Sequence, residues 1–177
     1  MKTRILAFLA CLILSVSICL PVSAFEIKSE GFGDSLMNFS NNYNASRGSM
    51  PAVIQDNTVG NDGSISYYAD ESRHIRISFT FTSTGGIDFV RVYWDRSGNF
   101  EDFLGACNLT MYSLIPDMAE PDRHRALGMV ILGGIESGNL AANGQNTILT
   151  GPDQKYILTY FSSSNQACLW LIKGSIK

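Results

Sequence analysis

The chain predicts an α+β fold, a two-layer sandwich with helices packed on one face of an antiparallel sheet. Three observations lead there. Residues 73–94 read RHIRISFTFTSTGGIDFVRVYW, where Ile75, Ile77, Phe79 and Phe81 alternate with His74, Arg76, Ser78, Thr80 and Thr82. A period of two marks a half-buried strand. Residues 100–137 instead carry apolar side chains at helical spacing, and the last thirty or so residues return to short strands separated by turns. Strands joined by tight turns pair antiparallel, and helices segregated from strands form a separate layer.

The elements follow in order. Residues 25–30 form a short strand or ordered tail. Residues 32–43 predict a helix, with Leu36, Phe39 and Tyr43 on one stripe and Asp34 favouring the helix dipole in the first turn. Residues 45–63 are rich in Asn, Gly and Ser and read as the least regular part, pinned by Val53 and Ile54 and ended by the Asn61-Asp62-Gly63 turn. A strand over 64–69 leads through a polar turn into the central hairpin. There Ser83-Thr84-Gly85-Gly86 reverses the chain and residues 87–94 return.

Asn99 is a good N-cap for a helix over 100–115, where Phe103, Leu104, Cys107, Met111, Leu114 and Ile115 keep the 3, 4, 7 spacing. Pro116-Asp117 breaks it. A second helix starts near Pro121, a residue suited to the first helical position, and runs to about Ser137. Gly128, Gly133, Gly134 and Gly138 are unusual there, and close approach to a neighbouring backbone is the expected compensation. Strands over 146–150, 154–162 and 166–173 close the chain. The last is apolar on both faces, which predicts a central lane.

The first residues set the expected compartment. Lys2 and Arg4, the apolar run 5–20 and the small residues of Val22-Ser23-Ala24 make a secretory signal peptide over residues 1–24, with one α+β domain over 25–177. Ile18 before Cys19 and Leu20-Pro21 after it fit lipidation poorly. Removing residues 1–24 from 177 leaves 153. Losing Lys2 and Arg4 from 13 basic residues against 16 acidic ones takes the net charge to −5. Such a surface gives no reason to expect nucleic acid as a partner, and no apolar run of the mature chain is long enough for a transmembrane segment. Cleavage leaves Cys107 and Cys168, which an exported chain most simply joins as a disulfide. A loop of about 60 residues closed in this way is worth roughly 4 kcal/mol by loop entropy.

The run GIDFVRVYWDRSG, an apolar helix, MAEPDRHRAL opening a second helix and three closing strands resemble, in layout, a group of small exported bacterial proteins and lipoproteins. The resemblance spans residues 75–173 and implies the α+β architecture. It implies no catalytic residue.

Chemistry-bearing motifs are few. His74 stands near Arg73 and Arg76, and His124 between Arg123 and Arg125. A proton shuttle at His74 stands against the plainer reading of two surface histidines. The sequence contains no Gly-x-Ser-x-Gly elbow, His-Glu-x-x-His pair or phosphate loop. Asp95, Ser97 and Asn99 occupy the first positions of a calcium loop, but Phe100 and Ala106 stand where Gly and Glu belong. A capped strand–helix connection explains the same residues, so neither metal nor cofactor is expected. Asn38, Asn44 and Asn108 open glycosylation sequons whose use depends on the host.

These observations lead to the expectation of an exported, secreted or periplasmic, non-catalytic binding module for a protein or small-molecule ligand. Its contact surface is the solvent-facing sheet, with His74, Arg76, Arg91 and Tyr93 as candidate residues. The alternatives are a small hydrolase with a site near His74 and a structural envelope component that pairs through a sheet edge.

Overall fold

A computed structural model describes residues 27–33, 36–59, 64–136 and 145–176. The expected signal peptide lies outside these residues. Eight strands form one antiparallel sheet: β1 (Ile27–Ser29), β2 (Val53–Val59), β3 (Ile65–Asp70), β4 (Ile75–Phe81), β5 (Ile87–Trp94), β6 (Gln145–Thr150), β7 (Tyr156–Ser162) and β8 (Ala167–Ile176). Among the described residues there are three α-helices, α1 (Leu36–Arg47), α2 (Phe100–Leu114) and α3 (Glu120–Glu136).

The strands lie in the order β2-β3-β4-β5-β8-β7-β6, and β1 pairs with the end of β8. Two meanders therefore meet where β8 pairs with β5. After β5 the chain leaves the middle of the sheet, crosses one face as α2 and α3, and re-enters at the far edge as β6. That crossing puts both helices on the same face. The predicted α+β sandwich is the fold observed, and β8 lies in the interior of the sheet, paired on both sides, next to the middle lane β5.

Register explains the core. One cross-strand row on the helix side runs Tyr67, Phe79, Val90, Leu171, Leu158 and Ile148. The next contains Ala69, Ile77, Val92, Leu169 and Tyr160. Phe103, Cys107, Met111, Val130 and Ile131 come down on these rows from the helices, all buried. Full burial of a Leu, Ile, Val or Phe stabilises by about 1.5–3 kcal/mol, so this layer is the main favourable contribution.

Helix α2 begins as its sequence predicts: the Asn99 side chain accepts from the Glu101 N–H at 3.0 Å. Helix α1 packs on α2, where Asn42 donates to the Ser113 carbonyl at 3.0 Å, and its fully buried Phe39 meets Phe79 of β4 edge-on at 4.9 Å. It is also tied to the β3–β4 turn, where Tyr43 donates to Glu71 and Arg47 pairs with the same carboxylate. Burial and the Glu71 carboxylate push the Tyr43 phenol well above its ordinary pKa.

Four expectations need correction. Phe32 is not helical: its backbone N–H donates to the Ile87 carbonyl and its ring stacks on Tyr156 at 6.0 Å. Residues 45–63, expected to be the least regular part, contain β2, whose polar sequence VIQDNTV suits a sheet edge. Gly128 makes no close approach to a neighbour, since a Cβ there would meet nothing within 4 Å. Gly138 lies outside the described residues.

The fourth concerns the cysteines. Cys107 and Cys168 are both buried free thiols. Cys107 faces the sheet from α2. Cys168 pairs across β8 with Tyr93 and Phe161, in a row on the side of the sheet away from the helices. Alternation along β8 thus sends Leu169 and Leu171 toward α2 and turns Cys168 away. Burial raises both thiols, Cys168 to about 12 and Cys107 well above its ordinary value.

Two outcomes follow from this packing. At about pH 8 both thiols resist alkylation in the folded protein, because the reactive thiolate is scarce and shielded. Peptide mapping after alkylation in denaturant finds both modified, and a linked Cys107–Cys168 peptide would contradict the structure. In the helices, Gly105 also has open space where a Cβ would stand. Gly105→Ala and Gly128→Ala should each raise stability by about 1 kcal/mol, read as a higher denaturant midpoint.

Candidate functional site

The helix-free face of the sheet gathers the remaining polar and aromatic side chains. Its middle row runs Ile54, Tyr68, Ser78, Arg91, Trp170, Thr159 and Thr147, one residue from each of the seven lanes. Beside it runs Asp70, Arg76, Tyr93, Cys168 and Phe161. Ser78, Thr80 and Thr159 are buried, while Tyr68, Phe89, Tyr93, Phe161 and Trp170 are half-buried among them.

Arg91 stands at the centre, on the middle lane of the sheet. Its guanidinium carbon lies 5.0 Å from the Phe89 ring centroid, 5.6 Å from Trp170 and 5.7 Å from Tyr93. Phe89 and Trp170 stack nearly parallel at 5.9 Å, and Phe161 meets Trp170 at 4.9 Å. Nη2 of Arg91 donates to Thr80 Oγ1 at 3.4 Å, and Nε is buried without a hydrogen-bond partner. Among the described residues no carboxylate pairs with this cation. Cation–π contacts supply part of the missing compensation. Burial raises the Tyr93 phenol, against the opposing pull of Arg91.

At the start of β4 the row opens into a cleft of about 380 Å³ whose lining includes His74, Arg76, Tyr93, Asp95, Asp70 and Gln166. Arg76 forks onto Asp70 at 2.6 and 3.1 Å and lies 4.1 Å from the centroid of the Tyr68 ring. Its hydrogen bonds to Asp70 raise its pKa further. His74 Nδ1 lies 2.9 Å from Asp95 Oδ2. The hydrogen bond with His74, and then one from the Ser97 backbone, hold Asp95 below the usual carboxylate range. Gly98 allows this corner to close, because a Cβ there would sit 2.8 Å from Cβ of His74.

All four sequence-predicted residues therefore fall on this face. His74, Arg76 and Tyr93 share the cleft, and Arg91 adjoins it through Tyr93. The sequence reading missed Asp95, Asp70, Phe89, Phe161 and Trp170. Asp95 was within reach: with Ile75 opposite Trp94, the next residues outward in the hairpin are His74 and Asp95. Trp170 depended on β8 pairing with β5, across some 80 residues of intervening chain.

The calcium-loop positions are committed to the turn. Asp95 accepts from the Ser97 N–H, and Asn99 caps α2. Among the described residues no three His, Cys, Asp or Glu side chains come together to hold a metal, and no helix is long and apolar enough to cross a membrane. His124 lies on α3, 3.8 Å from Glu120, away from this face.

No protein-family model, curated protein or solved structure matches the chain. The resemblance in layout noted from the sequence gains no support from these comparisons.

The His74–Asp95 contact has a pH signature. A carboxylate whose folded pKa is depressed contributes stability above its unfolded pKa and loses it as pH falls through the folded value. Carboxyl NMR titration should place the Asp95 midpoint below 3.8. In His74→Ala the midpoint should move up toward the ordinary value, and an unchanged midpoint would remove His74 as the cause.

Proposed function

We propose that this protein is a non-catalytic binding module, exported by its N-terminal signal sequence, that presents the helix-free sheet face to its ligand. The observation that carries this reading is Arg91, a half-buried guanidinium with an unpartnered Nε and, among the described residues, no carboxylate partner, set among three aromatic rings. A cation in that setting favours an anionic group, and the rings around it favour a flat or apolar body attached to that group. Arg76 differs, because Asp70 already occupies its fork. Its role in the module is to hold Tyr68 and the rim of the cleft in place.

A hydrolase built on His74 is the second reading, supported by the carboxylate at 2.9 Å and the adjoining cleft. A base oriented by a carboxylate is two parts of a catalytic triad, and the third part is a nucleophile. The hydroxyls near His74 are otherwise engaged or aromatic. Ser72 Oγ accepts from the His74 backbone N–H, and Tyr93 is a phenol raised by burial. The binding reading is therefore preferred.

The test is comparative capture. The immobilised wild-type protein and an Arg91→Ala/Trp170→Ala double variant are exposed to envelope extract and culture medium from the source cells. The proposal expects material retained by wild type and lost from the variant. Equal retention by both moves the contact surface elsewhere, and retention by neither overturns the binding module.

A further inference from the structure

Helices α2 and α3 do not close on one another along their outer side. Between them lies an apolar trough of about 320 Å³, walled by Phe100, Leu104, Leu127, Ile131 and Leu132. Its lining also includes Gly105 and Gly128, one from each helix, and a Cβ at either position would meet nothing within 4 Å. Glycine is among the poorest helix formers, so a fold with no use for this space would gain by filling it with side chains.

The trough has a polar end. Gly105 and Asn108 line both it and a second cleft of about 470 Å³, where Arg123, Arg47, Tyr112 and Glu120 are found. Arg123 is 8 % exposed. It donates to Asn108 Oδ1 at 3.1 Å and to the Met118 carbonyl, and its guanidinium lies 5.2 Å from the centroid of the Tyr112 ring. No carboxylate pairs with it among the described residues. Arg47 is committed to Glu71, and Glu120 lies 3.8 Å from His124. Of the cations at this end, His124 lines the trough itself but lies beside Glu120, whereas Arg123, buried in the adjoining cleft, has no carboxylate partner among the described residues.

An apolar trough that adjoins, through Gly105 and Asn108, a cleft holding a buried guanidinium with no carboxylate partner among the described residues is complementary to an alkyl chain with an anionic end. We infer that the α2–α3 trough binds a free long-chain carboxylate, its alkyl chain lying over Gly105 and Gly128 and its carboxylate meeting Arg123. Cavities of this size and lining are typical of small-ligand sites, in which apolar walls give affinity and a few polar groups fix orientation. The site lies on the opposite side of the sheet from Arg91 and stands independently of the function proposed above.

The experiment uses dodecanoate, dodecanol and dodecyltrimethylammonium as probes, titrated into the purified protein below their micellar concentrations by calorimetry. Dodecanoate should bind, with the alcohol and the cation weaker by about tenfold or more. Gly105→Leu and Gly128→Leu fill the trough from opposite helices, and each should weaken dodecanoate about tenfold or more. Far-ultraviolet circular dichroism and an undiminished denaturant midpoint establish that the variants remain folded. Several results would overturn the assignment: no dodecanoate binding, equal affinity for all three probes, or unchanged affinity in both folded leucine variants. Binding to phosphatidylglycerol vesicles without binding to free dodecanoate would also overturn it.

Discussion

The structure depends on one strand. β8 is hydrogen-bonded on both sides, to β5 and to β7, and is the seam where the two meanders become a single sheet. Its alternate residues serve different layers. Leu169 and Leu171 continue the core rows beneath the helices, while Cys168, Trp170 and Ile172 belong to the helix-free face. A slip of one residue would exchange these sets and place Trp170 under α2, so burial on both faces fixes the register. That register also sets Trp170 beside Arg91 and Cys168 beside Tyr93, and keeps the two buried thiols on different sides of the sheet.

Electrostatics separate the cations of the helix-free face. Arg76 and His74 lie near its rim, partly exposed, each beside a carboxylate. Such exposed pairs are screened and contribute little to stability, though they fix the shape of the cleft. Arg91 lies further in, where a guanidinium is harder to leave unpaired, and its compensation comes from ring faces and one hydroxyl. The contrast between rim cations paired with carboxylates and a central one with no carboxylate partner among the described residues distinguishes this surface from an ordinary solvated sheet.

The helix layer shows a related economy of packing. Its inner side is close-packed, with Phe103, Cys107, Met111 and Val130 fully buried, and the aromatic cluster of Trp94, Phe100 and Phe103 closes one end. Its outer side keeps two glycines and a trough. Fold stability demands the first arrangement. It does not demand the second, since side chains at Gly105 and Gly128 would meet no obstacle.

Local signals in the chain determined much of this architecture. The alternation of 75–81, the turn at 83–86, the Asn99 cap and the apolar stripe of α2 each depend on neighbours in sequence, and each is found where expected. His74, Arg76, Arg91 and Tyr93 were legible as a group because a hairpin register follows from its turn. The edge strand β2 was not legible. Much of an edge strand faces water, so VIQDNTV carries too little apolar alternation to announce itself. Nor could sequence decide where Cys107 lies relative to Cys168, which residue meets Arg91 from β8, or whether the glycines of α3 meet a neighbour. These depend on the lane β8 takes and on the face the helices cross. Both are set by burial summed over the whole core, and no local stretch of residues contains that sum.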